Sequence, residues 1–202
     1  MLKKIIPIVF IMLVLCSCSS FSSGTASSPE EAVTEKIREK YNIETTVVSV
    51  KENKGMQAFD ESYYQGTVEI NDTGEEFNYT LGKSSGTLRD DYPRLIYAED
   101  IENMIQEETE GMTDCSFEVV YYPSEGSYTR KDQLADYLRE SQTYAEIRFC
   151  KVYDFDAVYD TATKLEEKGI PFIATVEDYR EKPIYLISQG DTKLKPKEEY
   201  LQ

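Results

Sequence analysis

The chain has 202 residues, with 22 Lys and Arg against 38 Asp and Glu, no His and no Trp, and a formal net charge of −16. That length holds one domain of ordinary size or two small ones. Without His there is no Ser-His-Asp or Cys-His nucleophile system and no commonest zinc ligand, and the acidity argues against nucleic acid, whose phosphates require a basic surface.

The chain opens on Lys3 and Lys4, followed by an apolar run over residues 5–15 interrupted only by Pro7. Eleven residues are too few to span ~30 Å of hydrocarbon and suit the core of a signal peptide. The run closes on Leu15-Cys16-Ser17-Cys18. These residues resemble the lipobox of bacterial lipoproteins, with Leu15 at −3, the small Ser17 at −1 and Cys18 as the residue that becomes lipid-modified and N-terminal; Cys16 at −2 is less usual. The resemblance implies a signal peptide over 1–17 and a diacylglyceryl thioether on Cys18. It also implies a protein lipid-anchored in the cell membrane, facing the extracytoplasmic side. Each buried methylene contributes ~0.8 kcal/mol, so two acyl chains hold where one is marginal. The mature chain would run from Cys18 to Gln202, 185 residues, and loss of Lys3 and Lys4 would leave 20 basic against 38 acidic side chains, net −18.

Residues 18–28 are Ser-rich and without periodicity, which predicts a flexible tether. Its reach is roughly 20 Å at ~5–6 Å × √n. An anionic leaflet repels an acidic domain over ~8 Å at physiological salt, so the folded part is expected to stand off the membrane.

Ser28-Pro29-Glu30-Glu31 reads as a helix start, with Ser28 as N-cap, and Ala32, Val33, Ile37 and Tyr41 follow at helical spacing. Residues 44–50, 62–71 and 76–81 read as strands, the last two joined by the hairpin signal Asn71-Asp72-Thr73-Gly74. Residues 98–110 place Ile101, Met104 and Ile105 on one helical face, with Gly111 as the stop. The expected first domain, 29–111, is therefore α-β-β-β-α with an antiparallel meander. A helix followed by a three-strand meander resembles small PepSY-like modules.

A second domain is expected over 112–190. Strands are predicted at 117–122, 145–152, 171–176 and 183–188, and helices at 130–141 and 155–168. The order β-α-β-α-β-β implies a small mixed sheet with helices on one face, and the whole chain an α+β fold. Residues 191–202, charged and Pro-interrupted, read as a loose tail.

Candidate chemistry is sparse. Cys115 and Cys150 are the cysteines of the folded part, in a compartment that permits a disulfide. They meet if their strands are antiparallel neighbours. The helix between those strands argues for a parallel pair, which would put the sulfurs at opposite ends, so two separate thiols are the preferred reading. Asp154, Asp156 and Asp160 resemble a fragment of a calcium loop, but Tyr159 stands where an EF-hand requires Gly, and a helix cap explains the acids better. Asp90-Asp91 offers carboxylates, although adjacent residues on a turn point apart. No metal or cofactor is expected.

The 16 Tyr are the most suggestive feature. Tyr63-Tyr64 and Tyr121-Tyr122 lie on predicted strands, so one ring of each pair faces outward as a possible interface anchor; the alternative is that Tyr stands in for Trp in covering sheet faces. The expectation is a non-catalytic binding module, anchored to the bilayer through Cys18 and facing a basic protein, peptide or envelope partner. A carboxylate-based envelope enzyme and a small solute-binding lipoprotein are the alternatives.

Overall fold

The computed structural model describes residues 28–55, 61–152, 154–177 and 182–201. Leu15, Ser17, Cys18 and residues 19–27 of the expected tether lie outside the described residues.

Ser28 accepts the Glu31 amide on its hydroxyl (3.3 Å) and opens α1 (Pro29–Tyr41), with Glu30 and Glu31 at the positive end of the helix dipole. Asn42 ends the helix in the left-handed region at φ 56°. The buried stripe Val33, Ile37 and Tyr41 packs on a sheet of β1 (Thr45–Asn53), β2 (Tyr63–Ile70), β3 (Glu76–Gly82) and β4 (Leu88–Asp90), antiparallel throughout in that order. The expected meander thus has a fourth strand, whose three residues are too few to show a period of two. Rungs such as Val47–Val68–Phe77 and Val50–Gly66–Tyr79–Asp90 point into the core, and Thr46–Glu69–Glu76 and Ser49–Thr67–Asn78 point away.

A bulge between Val47 and Ser49 leaves Val48 out of the ladder and 52% exposed. It brings the Ser49 carbonyl over Gly66, where the Tyr79 hydroxyl donates to it (3.2 Å).

Helix α2 (Tyr92–Thr109) begins six residues before the expected 98. Its first turn holds Tyr92-Pro93, which reads as a turn in sequence because Pro cannot continue a helix but is accepted at its start. Tyr92 and Leu95 pack against the first core; Tyr97, Ile101 and Ile105 are buried in a second. The division expected between 111 and 112 falls behind this helix, whereas the packing passes from one core to the other inside it.

The second sheet contains β5 (Cys115–Val120), β6 (Tyr144–Phe149), β7 (Phe172–Val176) and β8 (Ile184–Ser188), again in chain order. Between β5 and β6 lie a 3-10 turn (Lys131–Gln133) and α3 (Leu134–Glu140); α4 (Phe155–Glu167) joins β6 to β7. Only β6 and β7 are parallel, so the sheet is mixed and the fold α+β. The pairing of β5 and β6 corrects the parallel expectation. Helix length explains it. At ~1.5 Å per residue, α3 rises only about 10 Å, short of a six-residue strand at ~3.3 Å per residue, and the chain re-enters at the end where β5 stops, Tyr144 opposite Val120. The 13 residues of α4 rise about 20 Å and make the parallel crossover.

Helices α2, α3 and α4 cover one face of this sheet, over the rungs Cys115–Phe149–Val176–Ile184, Phe117–Ile147–Ala174–Leu186 and Val119–Ala145–Phe172–Ser188. The tail is not loose. It ends in α5 (Lys197–Tyr200), the Tyr159 hydroxyl donates to the Lys195 carbonyl (2.7 Å), and Leu194, Tyr200 and Leu201 pack on the second core.

A Cβ on Gly66 would sit 1.9 Å from the Ser49 oxygen, so Gly66→Ala must displace the bulge. It is expected to lower stability by about 1–3 kcal/mol, read as an earlier midpoint in urea unfolding.

Candidate interaction surface

The two adjacent acids of the β4–α2 junction diverge. Asp90 lies on an inward rung and is fully buried. Its carboxylate accepts from the Lys40 ammonium (2.8 Å), the Tyr41 hydroxyl (2.7 Å) and the Tyr92 amide (3.1 Å). Lys40 also donates to the Ser124 carbonyl (3.3 Å), and Ser124 pairs with Asp90 through both backbone groups. Burial pushes the Asp90 carboxyl above the usual carboxylate range, with Lys40 and Tyr41 working against it. Asp91 turns the other way, to the amide (2.5 Å) and side chain (3.0 Å) of Asn78. Both acids are held by donors of the fold, and the backbone of Asp90 ties the first sheet to Ser124 in the segment between β5 and α3.

Other polar groups are similarly engaged. Asp154 caps α4, accepting from the amides of Asp156 (3.0 Å) and Ala157 (3.3 Å), and no group of three potential metal ligands occurs among the described residues. A cavity of about 310 Å³ opens between α3 and the ends of α4 and β8. Its one acid, Glu166, accepts from the Ser188 hydroxyl (2.8 Å) and the Leu194 amide (3.0 Å). Two of its cations, Arg139 and Lys168, are paired with acids of α3 and α2.

Cys115 and Cys150 are not joined in a disulfide. Their strands are antiparallel neighbours, so the backbones meet, the Cys150 amide donating to the Asp114 carbonyl (2.9 Å). The side chains take opposite faces. Cys115 shares the inward rung of Phe149 and packs on the second core, whereas the Cys150 thiol reaches Glu177 (3.5 Å), beside outward Arg148. Burial, with a smaller contribution from Cys150, pushes the Cys115 thiol up to about 11.

The four tyrosines expected as interface anchors separate. Tyr63 and Tyr64 lie on β2, half-buried, Tyr64 packing against the first core with the Lys83 ammonium 5.1 Å from its ring centroid. Tyr121 and Tyr122 lie just past β5. Tyr121 packs on the second core, its hydroxyl buried without a hydrogen-bond partner among the described residues. Tyr122 is 41% exposed and stacks on Tyr144, ring centroids 6.3 Å apart. Of the four, only Tyr122 reaches a surface that other anchors share.

That surface is the outward face of the second sheet, which no described helix covers. One rung runs Glu118–Glu146–Ile173–Ile187 across all four strands, and the next runs Ser116–Arg148–Thr175–Tyr185. Tyr185 is 53% exposed, and Ile173 and Ile187 are half-buried. A depression of about 370 Å³ lies over this face, lined by Glu118, Glu146, Arg148 and Ile173 among others. The Tyr144 hydroxyl donates to Glu146 (3.1 Å), and Arg148 is paired with Glu177 (3.3 Å). The equivalent face of the first sheet carries Thr46, Thr67, Glu69, Glu76 and Asn78, whose hydroxyls and amides bond one another and their neighbours. An open face with Ile and Tyr over β7 and β8 and acids beside them on β5 and β6 has the composition of a contact surface. The sequence does not single out Tyr144, Tyr185, Ile173 and Ile187. Their signal was the alternation along β6, β7 and β8, which shows two faces without saying which one the helices take.

No protein-family model, no curated protein and no solved structure matches the chain.

Asp90→Asn leaves Lys40 buried without its counter-charge, and Lys40→Met does the converse. Each is expected to cost about 3–5 kcal/mol, with the double variant losing less than the sum of the two in a denaturation cycle. The sign of the pH effect follows from the raised carboxyl. Its contribution to stability is complete below about pH 4, the ordinary Asp value, and is lost as pH rises through the folded value. Asp90→Asn removes that opposing slope, so stability should fall more steeply between about pH 7 and 4 than in the parent chain.

Proposed function

We propose that the chain is a lipid-anchored extracytoplasmic lipoprotein whose folded part is a non-catalytic binding module for a basic protein or peptide. The observation that carries the reading is the open second-sheet face, with Tyr122, Tyr144 and Tyr185 around Ile173 and Ile187. This face belongs to a chain whose mature form, after cleavage before Cys18, has a net charge of −18. Tyrosines offer large, rigid contacts with a polar tip, and an acidic field speeds encounter with a cationic partner. Two further observations weigh against catalysis by the most suggestive acids: Asp90 and Asp91 are held by structural donors, and they face apart.

Two measurements test the proposal. Cys18→Ala is expected to move the protein from the membrane to the soluble fraction, and a variant that stays with the membrane sinks the anchoring argument. Affinity capture with the full lipidated chain should retain basic proteins at low ionic strength and release them near 1 M salt, where charges are screened within ~3 Å. Retention that ignores salt contradicts a steered, charge-matched partner.

A further inference from the structure

Two rungs of this protein set glutamates directly opposite each other: Glu69–Glu76 on the first sheet and Glu118–Glu146 on the second. Residues so placed have Cβ atoms about 5 Å apart, and like charges there destabilise the sheet. Their charge is the same and their surroundings are not. Glu69 and Glu76 sit among Thr46, Thr67 and Asn78, whose hydroxyls and amides bond one another and their neighbours. Glu118 and Glu146 continue directly into Ile173 and Ile187 on the same rung, with Tyr185 on the next. The face's own cation, Arg148, is drawn to Glu177, and Glu118 has no ion pair among the described residues.

Resting on the binding-module reading, we infer that this face is the docking surface and that its occupant is a cationic, amphipathic segment of a partner protein. One Lys or Arg of that segment lies between Glu118 and Glu146, and its apolar side chains cover Ile173, Ile187 and Tyr185. Charge selects this occupant over the others. Two copies of the face brought together would oppose their acids, and an anionic leaflet would repel them. A lysine or guanidinium between the glutamates removes the like-charge conflict, and adjacent isoleucines lose water to the segment's apolar side. Because the rung is four strands wide, the acid half and the apolar half sit side by side, which demands both properties from one ligand.

The test uses the full chain in zwitterionic nanodiscs, with empty discs as blank, and a fluorescent helical peptide of about 18 residues with a Lys face and a Leu face, read by anisotropy at low salt. Glu118→Gln with Glu146→Gln is expected to weaken binding about tenfold, equivalent to ~1.4 kcal/mol. Ile173→Ser with Ile187→Ser should act similarly, and circular dichroism verifies that each variant is folded. Glu69→Gln with Glu76→Gln removes the same charge from the polar face and should change binding less than about twofold. Equal weakening by the two Gln pairs would mean that net charge alone attracts the peptide and would overturn the assignment. Binding unchanged by the second-sheet variants would overturn it while leaving the binding-module reading intact. No binding by the parent chain would remove both. A dimer in sedimentation that the Ile173/Ile187 variant dissolves would give the face to a second copy and also overturn the proposal.

Discussion

A carboxylate with no access to water has to be surrounded by donors, and Asp90 obtains them from two helix ends while its backbone pairs with a third segment. The Lys40 ammonium and Tyr41 hydroxyl come from the end of α1, the Tyr92 amide from the start of α2, and the backbone of Ser124 closes the junction from the loop after β5. An ion pair in such surroundings adds little net stability, because desolvation offsets the attraction. What it imposes is geometry. The Ser124 backbone pairs with that of Asp90 and its carbonyl accepts from Lys40, so the end of α1, the β4–α2 junction and Ser124 are held in one relation. Helix α2 starts from that point and carries Tyr97, Ile101 and Ile105 into the second core.

From that constraint follows which surfaces remain open. The first sheet buries its apolar rungs under α1, and the second buries its own under α2, α3 and α4. The outward faces then differ through composition alone. On the first sheet Thr and Asn side chains bond one another and their neighbours around Glu69 and Glu76; on the second, Ile173, Ile187 and Tyr185 leave apolar and aromatic area in contact with solvent beside Glu118 and Glu146. Both faces carry an opposed glutamate pair, but only beside the second does the sheet leave Ile173, Ile187 and Tyr185 partly exposed together, and that apolar area is what binding explains.

Much of the fold was legible in the residues. The Ser28 cap, the α1 stripe, the Asn71–Gly74 hairpin and the Asp154 cap each stand where local chemistry put them, because caps and turns depend on side chains within a few positions. The misses have a common origin in length and partner choice. Strand β4 is too short for a period to register. The Tyr92-Pro93 start hid the first turn of α2. The β5–β6 pair departs from the expected parallel one because strand–helix alternation signals a parallel crossover only when the helix is long enough to run back along the strand, which α3 is not and α4 is. The tail looked loose because its few apolar residues, Leu194, Tyr200 and Leu201, find their partners on the distant second core.

The candidate surface divides along the same line. Composition, charge and the lipobox-like Leu15-Cys16-Ser17-Cys18 come from the sequence by itself, as do the α+β content and the alternation that gives every strand two faces, since all are local or additive properties. Which face the helices would cover, that Tyr121 would turn inward while Tyr122 joined Tyr144 and Tyr185 outside, and that Glu118 would stand against Glu146 were decided only by strand pairing. Register and coverage depend on contacts between residues far apart in the chain, and a shift of one residue in any strand would have exchanged its two faces.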